Sequence, residues 1–300
     1  MILYAIMPVN VLHREGRHAL TGLKTVLKRR AIRTSFEVLG LAVLAFGAAW
    51  AVSSLDLTWS DISPLHLVLN LLVLTPALLG FAAVSLKITS GAIGRDVPNV
   101  LALQVVAAAN VAELLPLPGG ALVRGAALVK VGAGVGEAAR VVLLTALLTL
   151  GLTLALSGMA LGALSDAIWY GIAAAALAAV LVVLVLLTRH AALRYLVAMV
   201  VIRLVTLAVT VLRLVVASAT LGSDFGWIEA TLYSAAPTVG AAVGIVPAGL
   251  GVNEAIAAGL ATLINASPAT AFLAVALNRA LGLAVGAGLV LGGSFWRGRE

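Results

Sequence analysis

Charged and amide side chains interrupt several long apolar stretches of this sequence, where a charge is costly unless it is paired or used. Arginine forks suit phosphate and carboxylate groups, glutamates can balance them or carry a proton, and asparagines can hydrogen-bond a polar headgroup. These residue types predict binding of an anionic or polar ligand. The candidate binding residues are Glu113, Arg124, Arg203, Arg213, Asn253, Glu254, Asn278 and Arg279.

Two clusters of these residues lie beside breaks made of proline and glycine. Glu113 and Arg124 flank the first break, and Glu254 follows the second, with Arg279 further along the chain. In each cluster, the acid and the arginine could form a structural pair that only neutralises charge, or could line a cavity that binds a ligand. Both interpretations are open from the sequence. The residues expected at the tips of the breaks are Pro118, Gly119, Gly120, Pro247, Gly249 and Gly251.

Arg203 and Arg213 lie on one apolar segment, separated by about 15 Å of helical rise. Their rotational offset places them on adjacent sectors of that helix. Each could extend its long side chain towards the nearer membrane interface. Alternatively, one or both could turn inward and hold an anionic group.

Motifs for catalysis or cofactor binding are missing. The sequence contains no cysteine, which excludes thiolate zinc sites and iron–sulfur clusters. It also lacks Asp-x-x-Asp, His-Glu-x-x-His, Gly-x-Ser-x-Gly and Walker-type signatures. We therefore expect no enzymatic activity, no cofactor and no metal.

The composition predicts an all-α polytopic membrane protein. The 300 residues are 62% hydrophobic and only 10% charged, whereas soluble domains are roughly 45–50% apolar and about 25% charged. Since a spanning helix needs about 20 apolar residues, we expect about six spans. They are Phe36–Leu55, Leu65–Leu86, Val141–Leu164, Ile168–Thr188, Leu196–Leu221 and Ala269–Gly292.

Two further stretches, about 100–140 and 228–268, each hold two short apolar runs that meet at a Pro/Gly break. Such runs suit re-entrant hairpins, whose tips must be buried in protein or line a cavity. Four kinked full spans would fit the loop charges equally well. If they are hairpins, they enter from opposite faces, which is typical of transporters with inverted repeats.

The basic residues predict the orientation. The net charge is +7, and seven of the 19 Lys and Arg residues precede residue 34. Residues 1–35 therefore read as a basic cytoplasmic amphipathic arm, and 36–300 as a single transmembrane domain. The positive-inside rule then places both termini in the cytoplasm, with the protein in a prokaryotic-type inner membrane. No aromatic residues interleave the basic arm, so we expect no nucleic-acid partner.

The run Ile245-Val-Pro-Ala-Gly-Leu-Gly-Val-Asn-Glu-Ala255, then Ser267-Pro268, then Asn278-Arg279, resembles the transmembrane region of the lysylphosphatidylglycerol synthase family. Leu117–Arg124 is similar to that family's first Pro-Gly…Arg element, but lacks its usual glutamate. The resemblance implies a standalone, divergent lipid-flippase module. The family's aminoacyl-transfer domain is not among these residues, so aminoacyl-lipid synthesis is not expected.

We therefore expect a flippase or transporter for an anionic or polar lipid: a phospholipid, a glycolipid or a polyprenyl-phosphate carrier. The expected partners are membrane lipids, together with a possible second copy of the chain, because Gly282 and Gly286 could pack helices within one chain or between two. The alternatives are a small-molecule anion transporter and, less favoured, an enzyme acting on a lipid phosphate. A structural scaffold would not need broken membrane segments.

Overall fold

The computed structural model describes residues 30–58, 60–113, 119–189, 191–243 and 251–297, and these ranges contain helices and no strand. A π-helical turn, Asn70–Leu74, joins α2 to α3, and a 3₁₀ turn, Ala167–Trp169, precedes α7. The α-helices are α1 Arg30–Ser54, α2 Pro64–Leu69, α3 Thr75–Ala92, α4 Asn99–Ala112, α5 Gly119–Lys130, α6 Val135–Leu164, α7 Tyr170–Thr188, α8 Leu193–Thr220, α9 Trp227–Tyr233, α10 Ala235–Val243, α11 Val252–Leu263 and α12 Pro268–Arg297.

Five helical segments in the described ranges are long and apolar enough to cross a membrane, which supports the predicted all-helical membrane class, and each of them overlaps one of the predicted spans. The first predicted span falls in α1, whose described apolar part is the shorter helix Ala42–Ser54. Most of the predicted basic arm lies outside the described residues. The five segments are Pro64–Ala92, Val135–Leu164, Ala167–Thr188, Leu193–Thr220 and Pro268–Gly292.

The two broken stretches form short helices that pack in pairs. In the first pair, α4 (14 residues) packs on α5 (12 residues). These helices are about 21 and 18 Å long, well short of the roughly 30 Å hydrocarbon core. In the second pair, α10 packs on the 12-residue α11, and α9 precedes α10 with only Ser234 between them. The connecting residues 114–118 and 244–250 lie outside the described ranges, so re-entrance stays a prediction.

Four helices in the described part of the chain end beside a glycine or an asparagine in the left-handed conformation, which these two residue types tolerate best. In each case the following residue donates its N–H to the carbonyl five residues earlier, at 2.9–3.0 Å. These bonds satisfy carbonyls that the helix leaves free and turn the chain sharply into the next segment. The left-handed residues are Gly94, Gly132, Gly222 and Asn265.

Glycines let α6 and α7 pack closely along their whole length. A Cβ atom at Gly151 would lie 2.6 Å from the Val180 side chain, and one at Gly158 would lie 2.9 Å from the backbone nitrogen of Ala173. Because lipid offers no hydrophobic force between helices, close backbone packing of this kind is what holds them together. The outer face of α7 exposes Leu181, Val182 and Val185, as expected for a helix that faces lipid.

Helix α12 contacts both helix pairs as well as α1, α3 and α8. Against the first pair, the Asn110 side-chain amide donates to the carbonyl of Gly282 at 2.9 Å, and a Cβ atom at Gly286 would lie 3.1 Å from the same amide. Gly282 and Gly286 therefore seat α12 on α4 of its own chain. Helix α12 is the element that positions residues of the two pairs relative to each other.

Candidate functional site

A buried ion pair joins the second helix pair to α12. Glu254 lies in the first turn of α11, where a carboxylate interacts favourably with the positive end of the helix. Arg279 of α12 donates from Nη1 to Glu254 Oε1 at 3.0 Å and approaches Oε2 at 3.4 Å. The Glu254 side chain is fully buried and that of Arg279 is 14% exposed. These two residues therefore form the ion pair that was one of the two interpretations open from the sequence.

A left-handed glycine and a close contact with α10 fix the start of α11. Gly251, the residue before the helix, has a φ of 75°, a conformation that costs other residues about 1–2 kcal/mol. Asn253 is buried, and its Oδ1 has no hydrogen-bond partner among the described residues. Gly240 of α10 packs against it so closely that a Cβ atom there would overlap Oδ1. These contacts fix Asn253 at the start of α11, beside Glu254.

A second, looser ion pair lies at the junction of α4 and α5. Arg124 Nη2 and Glu113 Oε1 are 3.9 Å apart, and the two side chains are 39% and 49% exposed. The glycines between them make the junction tight, because a Cβ atom at Gly119 would overlap the Ala112 carbonyl. One at Gly120 would lie 2.8 Å from Glu113 Oε1. The carboxylate of Glu113 thus sits over the first turn of α5, a helix end that attracts anions.

The two ion pairs belong to one electrostatic cluster. Helix α4 packs on both α5 and α12, which places Arg124 and Arg279 within electrostatic range of the Glu113 carboxylate and Arg124 within range of Arg203. Arg203 comes from α8 and is half-buried. We call Arg124, Arg203, Arg279, Glu113 and Glu254 the charge cluster.

Arg213 takes a different position, in a set of hydrogen bonds between α8, α12 and the π-helical turn. Its side chain is buried, and Nε donates to Asn70 Oδ1 at 3.1 Å. Its Nη2 donates to the Asn278 carbonyl at 2.7 Å, while Asn70 Nδ2 donates to Asn278 Oδ1 at 2.8 Å. No carboxylate pairs with Arg213 in the described part of the chain. These bonds tie three helical segments together just before Arg279.

Sequence reasoning missed Asn70, which the π-helical turn presents to Arg213. A π-helical turn inserts an extra residue into a helix and often occurs at functional sites. The signal was available, because Asn70 is a lone amide inside the apolar run Leu65–Leu86. Its side chain is fully buried and also donates to the Arg213 carbonyl at 3.2 Å.

The structure thus brings together most of the predicted site residues. The charge cluster unites five of them, with Asn253 next to Glu254 and Asn278 next to Arg279. Arg213 lies in the neighbouring hydrogen-bonded set. Of the predicted tip residues, Gly119, Gly120 and Gly251 lie at the starts of α5 and α11, whereas Pro118, Pro247 and Gly249 lie outside the described residues. Within those ranges, no three His, Cys, Asp or Glu side chains are placed to hold a metal ion.

No protein-family model matches the sequence, and no curated protein matches it either. The resemblance of residues 245–279 to the lysylphosphatidylglycerol synthase transmembrane region therefore stays a prediction.

Proposed function

We propose that the protein moves an anionic lipid across the membrane, with the lipid headgroup bound at the charge cluster. One observation carries the proposal: α12 bonds the second helix pair through Arg279 and Glu254, and it bonds the first pair through the Gly282 carbonyl and Asn110. A headgroup that binds Arg279 would therefore act on the helix that holds both pairs. Such coupling is what a carrier needs if ligand binding is to change the packing of one half against the other.

The sign of the charge favours an anionic headgroup. The charge cluster contains three arginines and two glutamates, and the buried Arg213 lies beside it. An excess of positive charge within apolar surroundings is costly unless an anion offsets it. Guanidinium forks match the geometry of phosphate oxygens, so a lipid phosphate is the group that this cluster suits best.

The two ion pairs support different roles in headgroup binding. The Glu113–Arg124 pair is long and half-exposed, and ion pairs of that kind are worth only about 0–1 kcal/mol. A phosphate can therefore replace Glu113 as the partner of Arg124 at little cost. The Glu254–Arg279 pair is short and enclosed, so it opens only when a ligand offers an equivalent anion.

We further propose that the helix pairs are re-entrant and dip into the membrane from opposite faces. Their short helices support this, because none of them alone spans the hydrocarbon core. The starts of α5 and α11 would then lie within the membrane, where their free N–H groups add to the attraction for an anion. The acyl chains would stay in the bilayer while the headgroup passes between the pairs.

Transport in reconstituted vesicles tests the proposal. The vesicles carry a fluorescent anionic phospholipid, and a membrane-impermeant reductant bleaches only the outer leaflet. Vesicles with the protein should lose nearly all their fluorescence, while empty vesicles lose about the half that the outer leaflet holds. Arg124→Gln should slow the loss of inner-leaflet fluorescence at least several-fold, because the entry site for the phosphate loses its charge.

Arg194→Gln is the matched control. Arg194 lies over the ring of Tyr195 at 4.9 Å, at the start of α8 and outside the charge cluster, so its loss should leave transport unchanged. Bleaching by protein vesicles that stops at the level of empty vesicles, for several anionic headgroups, would overturn the proposal. Uptake of free phosphate without lipid movement would instead identify a small-molecule anion transporter.

A further inference from the structure

An apolar groove runs along the outside of the protein between α1, α11 and α12. It has a volume of about 440 Å³. Val43, Phe46 and Trp50 line it from α1, and Ala255 and Ala258 line it from α11. Phe46 is 78% exposed and Trp50 is 49% exposed, so the groove is open on its outer side.

The floor of the groove depends on one glycine and one aromatic ring. Phe272 of α12 is buried, and its ring lies directly under Gly47 of α1. A Cβ atom at Gly47 would overlap this ring. The missing side chain therefore lets the ring fill the space between α1 and α12, which gives the groove a floor and keeps it separate from the protein core.

The groove is aligned with the buried ion pair on both helices that carry the pair. On α11, Ala258 lies one turn after Glu254, about 6 Å along the axis and about 40° away in rotation. On α12, Phe272 lies seven residues before Arg279, about 10 Å along the axis and within about 20° of the same face. The apolar groove and the charged pair thus follow one another along the same side of α11 and α12.

We propose that this groove holds the hydrocarbon chain of the anionic lipid whose headgroup binds the charge cluster. The inference rests on the proposed function and adds a second subsite to it. An apolar groove next to an excess of positive charge is complementary to an amphiphile with an anionic head. Small residues at 255 and 258 leave room for the chain, and the open side lets it enter from the bilayer.

Quenching of Trp50 by brominated lipid chains tests the groove directly. The protein keeps Trp50 as its only tryptophan, with phenylalanine at positions 59, 169, 227 and 296. A small fraction of anionic lipid with brominated chains is diluted into unbrominated zwitterionic lipid. We expect brominated chains at Trp50 to be enriched about tenfold over random mixing, which corresponds to about 1.4 kcal/mol of preference.

Two variants and one matched control make the result specific. Ala255→Leu fills the groove from an exposed position on α11 and should abolish the enrichment. Arg279→Gln, made together with Glu254→Gln so that no buried carboxylate is left unbalanced, should also abolish it, because the headgroup loses its charge partner while the groove stays intact. Ala178→Leu adds the same bulk on the exposed face of α7, a helix that does not line the groove, and should change nothing.

The outcomes separate this inference from the proposed function. Quenching at the level of random mixing would overturn the binding of a lipid chain in the groove. Enrichment that survives either Ala255→Leu or the variant that carries Arg279→Gln would overturn it as well. Normal transport without enrichment would reject the groove and leave the transport function standing. Specific enrichment in a protein that moves no lipid would support the lipid site and contradict the transport function.

Discussion

Replacing Glu254 with glutamine should destabilise the protein far more than the same change at Glu113. Glu254 is fully buried and bonds Arg279 at 3.0 Å, and Arg279 is only 14% exposed. Removing the carboxylate leaves a guanidinium charge in an enclosed site without the anion that balances it. Breaking a buried pair in this way costs about 3–5 kcal/mol.

The half-exposed ion pair gives the reference for this change in the free energy of unfolding. Glu113 and Arg124 are 3.9 Å apart and 49% and 39% exposed, so water screens their interaction. Glu113→Gln should therefore cost about 0–1 kcal/mol. The two changes are chemically identical, and only the enclosure of the partner arginine differs.

A double-mutant cycle separates the ion pair from simple packing. Adding Arg279→Gln to Glu254→Gln removes the unbalanced charge, so the double variant should recover much of the lost stability. Unfolding in detergent, followed by helical circular dichroism, gives the free energy of unfolding of each variant. A cost for Glu254→Gln no larger than that for Glu113→Gln, or a double variant as unstable as the sum of the single ones, would contradict this prediction.

Three further predictions concern the scaffold. Gly158→Leu should separate α6 from α7 and lower the unfolding temperature by several degrees, since its Cβ would press on the backbone of Ala173 at 2.9 Å; leucine at the open position Gly171 is the control. Gly251→Ala should cost about 1 kcal/mol in unfolding experiments, because φ is 75° there, and an unchanged midpoint would contradict this. In the loop before α2, hydrogen bonds from the Thr58 hydroxyl and backbone lower the pKa of Asp61. The hydrogen bonds between Thr58 and Asp61 should therefore be complete above about pH 4, the ordinary pKa of aspartate, and be lost as pH falls through the lowered pKa. Carboxyl NMR of Thr58→Ala should show the pKa of Asp61 rising.

The sequence was sufficient to predict an all-helical membrane chain with long apolar helices, and it offered both ion pairs as one of two interpretations of their residues. Hydropathy identifies spans because lipid admits only segments that are apolar and internally hydrogen-bonded. The pairs were predictable because the bilayer makes an unpaired charge costly, so few acids were available to each arginine. Pairing Glu254 with Arg279 needed only the short connection between α11 and α12.

The set around Arg213 could not be predicted in the same way. Its partner Asn70 lies 143 residues away in the chain, and the contact depends on how α3 and α8 pack. The π-helical turn that presents Asn70 ends just before Pro76, whose missing N–H leaves the Leu72 carbonyl without its usual helical partner. The sequence therefore marks a break here, but the packing decides which helix Asn70 faces. The side on which Gly282 and Gly286 pack was likewise undecided until Asn110 was placed against them.

The difference between the two ion pairs bears on how the proposed transport would proceed. If the two helix pairs are equivalent halves of an inverted repeat, a symmetric protein would hold both ion pairs at the same distance and with the same exposure. Instead, the Glu254–Arg279 ion pair is enclosed and short, and the Glu113–Arg124 ion pair is half-exposed and long. Arg279 is bonded to Glu254 and lies within electrostatic range of Glu113, so a closer approach to Glu113 would have to draw it away from Glu254. Exchange of Arg279 between the two carboxylates would therefore open one side of the charge cluster as it closes the other, which is the coupling that alternating access requires.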